Sequence, residues 1–215
     1  MSTHFPVDPA TRLRRHPERA SYDRAAVHAL LDAHWVCQIA FVHEGQPHVL
    51  PTAYWREGEH LYIHGSNGSR LLRQLLQGAS CTNVCHVDGL VLARSAFSHS
   101  ANYRSVNLYG RYQALEDPAD KQRAFEAFFD AVLPGRWSQV RAPNRKEIAA
   151  TTVLRLPIER AVLKARSGGP IDDPEDADWP CWAGVLPFAW LRQAPAPEPG
   201  HGTDPGAAVL ARWPG

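Results

Sequence analysis

The sequence predicts a mainly β fold with helices, an antiparallel arrangement of six or seven strands curled into a closed or nearly closed barrel. Three observations predict it. Runs of strand length, rich in Val, Ile, Tyr, Trp and Thr, follow one another with only tight glycine-containing turns between them, which antiparallel strands permit and parallel strands do not. Helical periodicity is confined to two or three short segments. Six or seven strands beside so little helix would leave long unpaired edges in an open sheet, and closure removes them. The chain has 215 residues, 44% hydrophobic and 21% charged, enough for one domain with its own core.

The elements follow in order. Residues 1–20 are polar, with four arginines in "RLRRHPERA", and are expected to form an extended arm ahead of a domain over 21–190. Ser21 is a candidate N-cap for a helix through "YDRAAVHALLDAH", whose Val27, Leu30 and Leu31 recur at helical spacing. "WVCQIAFVHEGQPHVLPTAYWREGEHLYIHG" then reads as three strands joined by turns at "HEGQ" and "REGEH". "SNGSRLLRQLLQG" interrupts them with a helix: Leu71, Leu72, Leu75 and Leu76 form its stripe and Gly78 stands where a C-terminal cap belongs. Strands resume in "ASCTNVCHV" and "GLVLARSAF", with Asp88-Gly89 as the expected hairpin turn between them, followed by a long strand in "RSVNLYGRYQALE". Asp117-Pro118 opens the next helix, with Phe125, Phe128, Phe129 and Val132 on one face. "AATTVLRLPIERAVLKA" is expected to be a last long strand bent at Pro157, and the Pro/Gly-rich segment 191–215 a tail without structure.

Composition excludes several classes. With 23 basic and 22 acidic residues the net charge is +1, which is no nucleic-acid footprint. No apolar run approaches the roughly 18 residues of a membrane span. The N-terminus lacks the apolar stretch of a secretory signal, so a cytoplasmic protein is expected. The four cysteines form no CxxC pair; Cys81 and Cys85, near His86 and Asp88, share one face of a strand and read as small buried hydrophobes, so no metal site is expected.

Chemistry concentrates in "LYIHGSNGSRLL", residues 61–72. A strand rises to His64, and a Gly-Ser turn leads into a helix. The first N–H groups of that helix lack backbone partners and carry partial positive charge. Ser66 and Ser69 add hydroxyls, Arg70 adds a cationic fork, and Gly65 and Gly68 let the backbone come close, a set suited to a phosphate monoester. The alternative use of Ser66 is simply to cap the helix, with Arg70 in solvent.

Taken together, "RASYDRAAVHALLDAHWVCQIAFVHEGQPHVLPTAYWREGEHLYIHGSNGSRLLRQL", "CHVDGLVLARSAFSHSANYRSVNLYGR", "PGRWSQVRAPNRKEIAATTVL" and "WAGVLP" resemble the FMN-binding split barrels related to pyridoxamine 5'-phosphate oxidase, in particular the branch that includes nitroimidazole-resistance reductases. The resemblance implies FMN held at a homodimer interface and a small-molecule substrate, with neither nucleic acid nor membrane as partner. It implies that Pro51, Thr52 and Tyr54 face the flavin, that Ser66, Ser69 and Arg70 hold its phosphate, and that His64 sits over the ring as a catalytic group. Tyr103, Arg104 and Ser105 enter the site, Tyr103 and Arg104 holding substrate, and Trp182 is the C-terminal aromatic that reaches the flavin. This chain departs from the oxidases proper: only Arg192 stands near the position of their arginine-rich signature, and "VLPTAYW" lacks their basic strand. Vitamin B6 oxidation is therefore not implied, and Arg94, Arg104 or Lys164 must supply the missing positive charge. Two function classes follow: an FMN-dependent oxidoreductase, or a non-catalytic flavin- or haem-binding module in which His64, His86 or His99 ligates the iron.

Overall fold

The computed structural model describes residues 2–200, 202 and 204–213. The strands are β1 (Ala20–Ser21), β2 (Val36–His43), β3 (Gln46–Glu57), β4 (His60–Ser66), β5 (Ser80–Leu92), β6 (Ser100–Gly110), β7 (Gln113–Ala114), β8 (Thr151–Pro157), β9 (Ala161–Arg166) and β10 (Gly184–Pro187). The helices are α1 (Arg24–Asp32), α2 (Arg70–Gln77), α3 (Pro118–Val132), α4 (Arg145–Ala149) and α5 (Ala207–Arg212). All strand pairs are antiparallel and join one sheet in the order β1-β9-β6-β5-β2-β3-β4-β8-β7, with β10 added on β5. The hydrogen-bond order is open. Yet β7, at its far end, follows β6 in the chain after two residues, so the sheet must curl enough to bring β7 back beside β6. This is the mainly β split barrel expected, with more strands than the six or seven counted because three pieces of two to four residues join it.

Local chemistry explains most elements. Glu44 and Gly45 join β2 to β3 as a two-residue loop with φ of 50° and 75°, the double positive φ of a type I′ hairpin. Asp117 caps α3 by accepting from Ala119 N at 2.8 Å, with Pro118 at the first position. Two caps differ from expectation. The cap of α1 is Asp23, whose carboxylate accepts from Ala26 N at 2.8 Å, while Ser21 pairs with Leu163 in β1. The carboxylate reaches the third amide of the helix from a residue that still has extended backbone, which Ser21, two residues too early, cannot do. Ser69, not Ser66, caps α2, accepting from Leu72 N.

Two strand readings also changed. Asp88-Gly89 is no hairpin: β5 runs through it, and the β5–β6 ladder slips there, pairing Val87 with Tyr103 and Gly89 with Asn102. Asp88 is the extra residue of a β-bulge. The last long strand is two strands, β8 and β9, which break after Pro157 and pair with β4 and β6 respectively.

The core is filled by the inward residues of the sheet, among them Ile39, Leu61, Ile63, Val106, Leu108, Leu154 and Leu156, together with Val27, Leu30 and Leu31 of α1 and Leu71, Leu72 and Leu75 of α2. A second cluster, Trp55, Ala124, Val132 and Val153, seats α3 on the outside of β3 and β4. Residues 191–213 are not a free tail where described. In α5 and beyond, Arg212 donates to Ala131 O at 3.0 Å and to Asp32 O, and Trp213 Nε1 donates to Val132 O at 2.8 Å. An aromatic and a guanidinium at the end of a Pro/Gly-rich run suffice to dock it on α1 and α3. His201, Thr203, Pro214 and Gly215 lie outside the described residues. No helix among the described residues is long and apolar enough to cross a membrane.

Candidate functional site

The sheet opens at two forks, and most of the candidate residues fall at the first, at the second, or on the outer face away from both. The first fork lies between β3 and β4. Their ladder runs from Glu57–His60 to Tyr54–Ile63 and stops; beyond it β3 continues on β2 while His64, Gly65 and Ser66 pair with β8 alone. Pro51 and Thr52 thus stand on one side and His64, Ser66, Ser69 and Arg70 on the other. A Cβ on Gly65 would meet Leu72 Cδ1 at 3.1 Å, so α2 closes the fork from within.

The turn at this fork is already well satisfied. Ser66 Oγ accepts from Gly68 N at 3.2 Å, and Asn67 ties the turn to Ala149 O and Ala150 O at 2.8 and 3.1 Å. With Leu72 N taken by Ser69, Ser69 acts first as the helix cap and Ser66 as an acceptor within the turn, and Arg70, exposed beside them, is the cation the turn offers. His64 packs against Trp55, Phe125 and Phe128 with ring centroids 5.8, 5.3 and 5.4 Å away. Its Nδ1 is buried without a partner among the described residues, and burial holds the imidazole below its ordinary pKa. It faces α3 rather than open space. Tyr54 is a core residue: fully buried, its hydroxyl donates to Leu31 O at 2.6 Å and burial pushes its pKa up. It has no surface to offer a flavin, because Ala53 and Trp55, not Tyr54, point outward from β3.

Ser105 and Lys164 are directly opposite one another on β6 and β9. They share the outer face of the sheet with Pro51, since Pro51, Gln38, Asn83 and Asn107 form the next row. Ser105 Oγ accepts from Asn83 Nδ2 at 2.9 Å. Tyr103 lies on that face one row further, opposite Val87 and Arg166. Trp182 is 62% exposed and leans on Gly184, where a Cβ would meet its ring at 2.8 Å. Arg94 is engaged by Asp172, at 2.8 Å through its backbone N–H and 2.9 Å through Nη1. It is a loop clamp rather than a free cation.

The second fork lies between β2 and β5, whose ladder covers only Gln38–Asn83 to Ala40–Cys81. Where they part, a cleft of about 810 Å³ opens, within the roughly 300–1,000 Å³ of cofactor pockets. Its walls are Trp35, Phe188, Trp190 and Trp213, and its polar groups are His34, His86, Arg104 and Arg212. Of the expected residues, two are found here: His86, named as a possible iron ligand, and Arg104. Arg104 grips Asp88, through Nε at 3.0 Å and Nη2 at 2.7 Å, and Asp88 also takes His86 Nδ1 at 3.0 Å. The Arg104 guanidinium, then His86, hold the Asp88 carboxyl below its usual range. His34 stacks on His86 at 4.8 Å, and burial, with His86 and Arg104 nearby, lowers its pKa; its Nε2 is buried without a partner among the described residues.

The cleft escaped the sequence reading because its parts are remote from each other: His34 after α1, His86 beside the bulge, and Trp190, Arg212 and Trp213 from the segment expected to be a tail. Among the described residues no group of three or more His, Cys, Asp or Glu could hold a bare metal ion. The donor set does fit a flat cofactor that brings its own ligands: aromatic walls, the imidazoles of His34 and His86, and the Arg212 guanidinium for an acidic group.

A search of curated proteins finds no match. Among solved structures, the chain is similar to the flavocytochrome Anf3 from Azotobacter vinelandii, with 38% identity over 96% of this chain and 97% of that one at a TM-score of 0.91. It is similar to an FAD and heme binding protein from Mycobacterium smegmatis, with 36% identity over 91% and 97% of the two chains at a TM-score of 0.85. A putative 5-nitroimidazole antibiotic resistance protein from Bacteroides thetaiotaomicron shares the fold, at 18% identity over 67% and 85% and a TM-score of 0.57. The family model described as pyridoxamine 5'-phosphate oxidase matches residues 23–165, about two thirds of the sequence. With that match and two relatives above 30% identity over nearly their whole length, the chain belongs to the pyridoxamine 5'-phosphate oxidase-related split-barrel family.

Proposed function

We propose that this protein is a flavin-binding redox protein that also takes haem, working as a homodimer and passing electrons between a small-molecule substrate and its cofactors. The observation that carries the haem part is where the cleft's walls come from. The family match ends at residue 165, but Phe188, Trp190, Arg212 and Trp213 all lie beyond it. The likeness to the flavocytochrome, covering 96% of the chain, leaves about nine of 215 residues outside and so takes in most of that segment. The part of the chain that the general family match does not reach is the part that encloses the second fork.

The flavin reading rests on family membership and on the names of the two relatives. It is supported by two cations: Arg70 at the turn of the first fork, and, elsewhere on the sheet, Lys164 opposite Ser105 on the outer face, each able to meet a flavin phosphate. FMN, with a terminal phosphate monoester, is the form the family resemblance implies; FAD, named for the Mycobacterium relative, carries a pyrophosphate at the same ribityl end. The outer face carries Val42 and Val49, 64% and 61% exposed, and a second copy of the chain would cover them.

An absorption spectrum of the purified protein tests both parts, followed by titration with FMN, FAD, riboflavin and hemin. Flavin bands with a preference for a phosphorylated flavin over riboflavin support the flavin reading. A Soret band on hemin addition supports the haem reading. Loss of phosphate preference in Ser69→Ala/Arg70→Ala assigns the phosphate to the β4–α2 turn, and an unchanged preference moves it to Lys164.

A further inference from the structure

We propose that His86 is the haem ligand of the second fork and that Asp88 and Arg104 are its positioning residues. The inference rests on the haem reading above and deepens it. The bulge is the starting point. The extra residue in β5 brings Asp88 within 3.0 Å of His86 Nδ1, two residues away in the same strand. The bulge is pinned from the other side: Phe188 N donates to Asp88 O at 2.9 Å, and Gly89 lies so close to β10 that a Cβ would meet Leu186 O at 2.6 Å.

With Nδ1–H donated to the carboxylate, the tautomer is set and Nε2 is left with its lone pair as the ring nitrogen available to the cleft that His86 lines. A carboxylate behind an imidazole both orients the ring and makes it a stronger ligand. Arg104 holds the carboxylate in turn by two hydrogen bonds, and its Nη2 lies 3.3 Å from His86 Nδ1. Asp88 therefore cannot rotate away without breaking three contacts.

His34 and His86 cannot ligate one iron from opposite sides, and among the described residues only His86 of the two has a carboxylate on Nδ1. The His34 ring lies 4.8 Å from that of His86, the separation of two aromatic groups in direct contact, so no macrocycle fits between them. Trp190, its ring 6.4 Å from His86, and Trp213 wall the space a macrocycle would fill. Arg212 reaches the same space and suits an acidic substituent. His64 is shut in by three aromatic rings, and His99 is exposed with Nδ1 at 2.9 Å from Ser95 O, so neither shares the cleft.

The full-length protein titrated with hemin tests this, with flavin binding measured in parallel. His86→Gly is expected to lose the wild-type Soret band while flavin binding and melting temperature stay, and added imidazole is expected to restore the band. His99→Ala is expected to keep it. Asp88→Asn is expected to retain haem with a raised reduction potential, because the imidazole loses its anionic partner. A wild-type spectrum in His86→Gly, or a loss that falls on His34→Ala instead, overturns the ligand assignment. An unchanged potential in Asp88→Asn overturns the positioning role. Flavin binding without any haem uptake by the wild type overturns the haem reading itself.

Discussion

Arg104 and Asp88 face each other across the β5–β6 ladder at a bulge, joined by two hydrogen bonds, Nε to Oδ2 at 3.0 Å and Nη2 to Oδ1 at 2.7 Å. Both side chains are substantially exposed, so the ion pair itself contributes no more than about 1 kcal/mol to folding. What it does is hold Asp88 ionised and aimed at His86. Arg104→Ala is expected to leave the melting temperature nearly unchanged and to let the Asp88 pKa rise toward the ordinary carboxylate range, as read by NMR titration. An unmoved Asp88 pKa would show that His86 alone holds it down.

Gly89→Ala tests the bulge from its back. The new methyl would meet Leu186 O at 2.6 Å and Pro187 Cα at 3.1 Å, both backbone atoms that cannot swing aside. The expected cost is about 1–3 kcal/mol by denaturant unfolding, with weaker cofactor uptake as β10 and Phe188 are displaced. Full stability in this variant would mean that β10 is not held against β5.

His64 predicts a pH effect. Burial lowers its pKa in the fold, so below the ordinary value of about 6.5 the unfolded chain binds a proton that the folded chain resists. Stability is therefore complete above that pH and falls as pH drops through the window below it. His28 and His34, lowered for the same reason, add slopes of the same sign. His64→Leu is expected to flatten the melting temperature between pH 6.5 and 5 without abolishing its fall, and an identical slope would show that His64 protonates freely in the fold.

Tyr54→Phe separates core from site. The variant strands Leu31 O in a buried place, at a cost of about 1–3 kcal/mol, while flavin affinity stays as it was. A loss of flavin affinity at unchanged stability would return Tyr54 to the cofactor.

Trp190→Ala with Trp213→Ala tests the wall. Removing both indoles is expected to weaken hemin binding by at least about tenfold, the effect of losing roughly 1.4 kcal/mol of anchoring contact. Flavin binding, if it belongs to the first fork, is expected to change little. The wild type is expected to show more tryptophan quenching on hemin addition than the double variant, which keeps Trp35 in the wall.

Most strands, the cap of α3 and the turn after β2 are local, and they were legible because each depends on a few adjacent residues: Glu44-Gly45 needs only its two positive φ angles, and Asp117-Pro118 only its own first turn. Asp88-Gly89 was misread for an instructive reason. The same dipeptide suits a hairpin and a bulge, and what decides between them is whether the chain beyond it finds a partner in the existing sheet. Here Gly89–Val91 continues on β6 and Gly89–Leu92 also pairs with β10, nearly a hundred residues later.

The sequence by itself determined the antiparallel barrel, the apolar stripes of its helices and the family, because hydrophobic period and turn chemistry are written in neighbouring residues. Tertiary structure alone decided which polar groups meet. The register of β5 against β6 brought Arg104 to Asp88, the parting of β2 from β5 opened the cleft, and the docking of Arg212 and Trp213 on α1 and α3 closed its wall. Those are contacts between distant segments, set by packing of the whole sheet, and no local pattern encodes them.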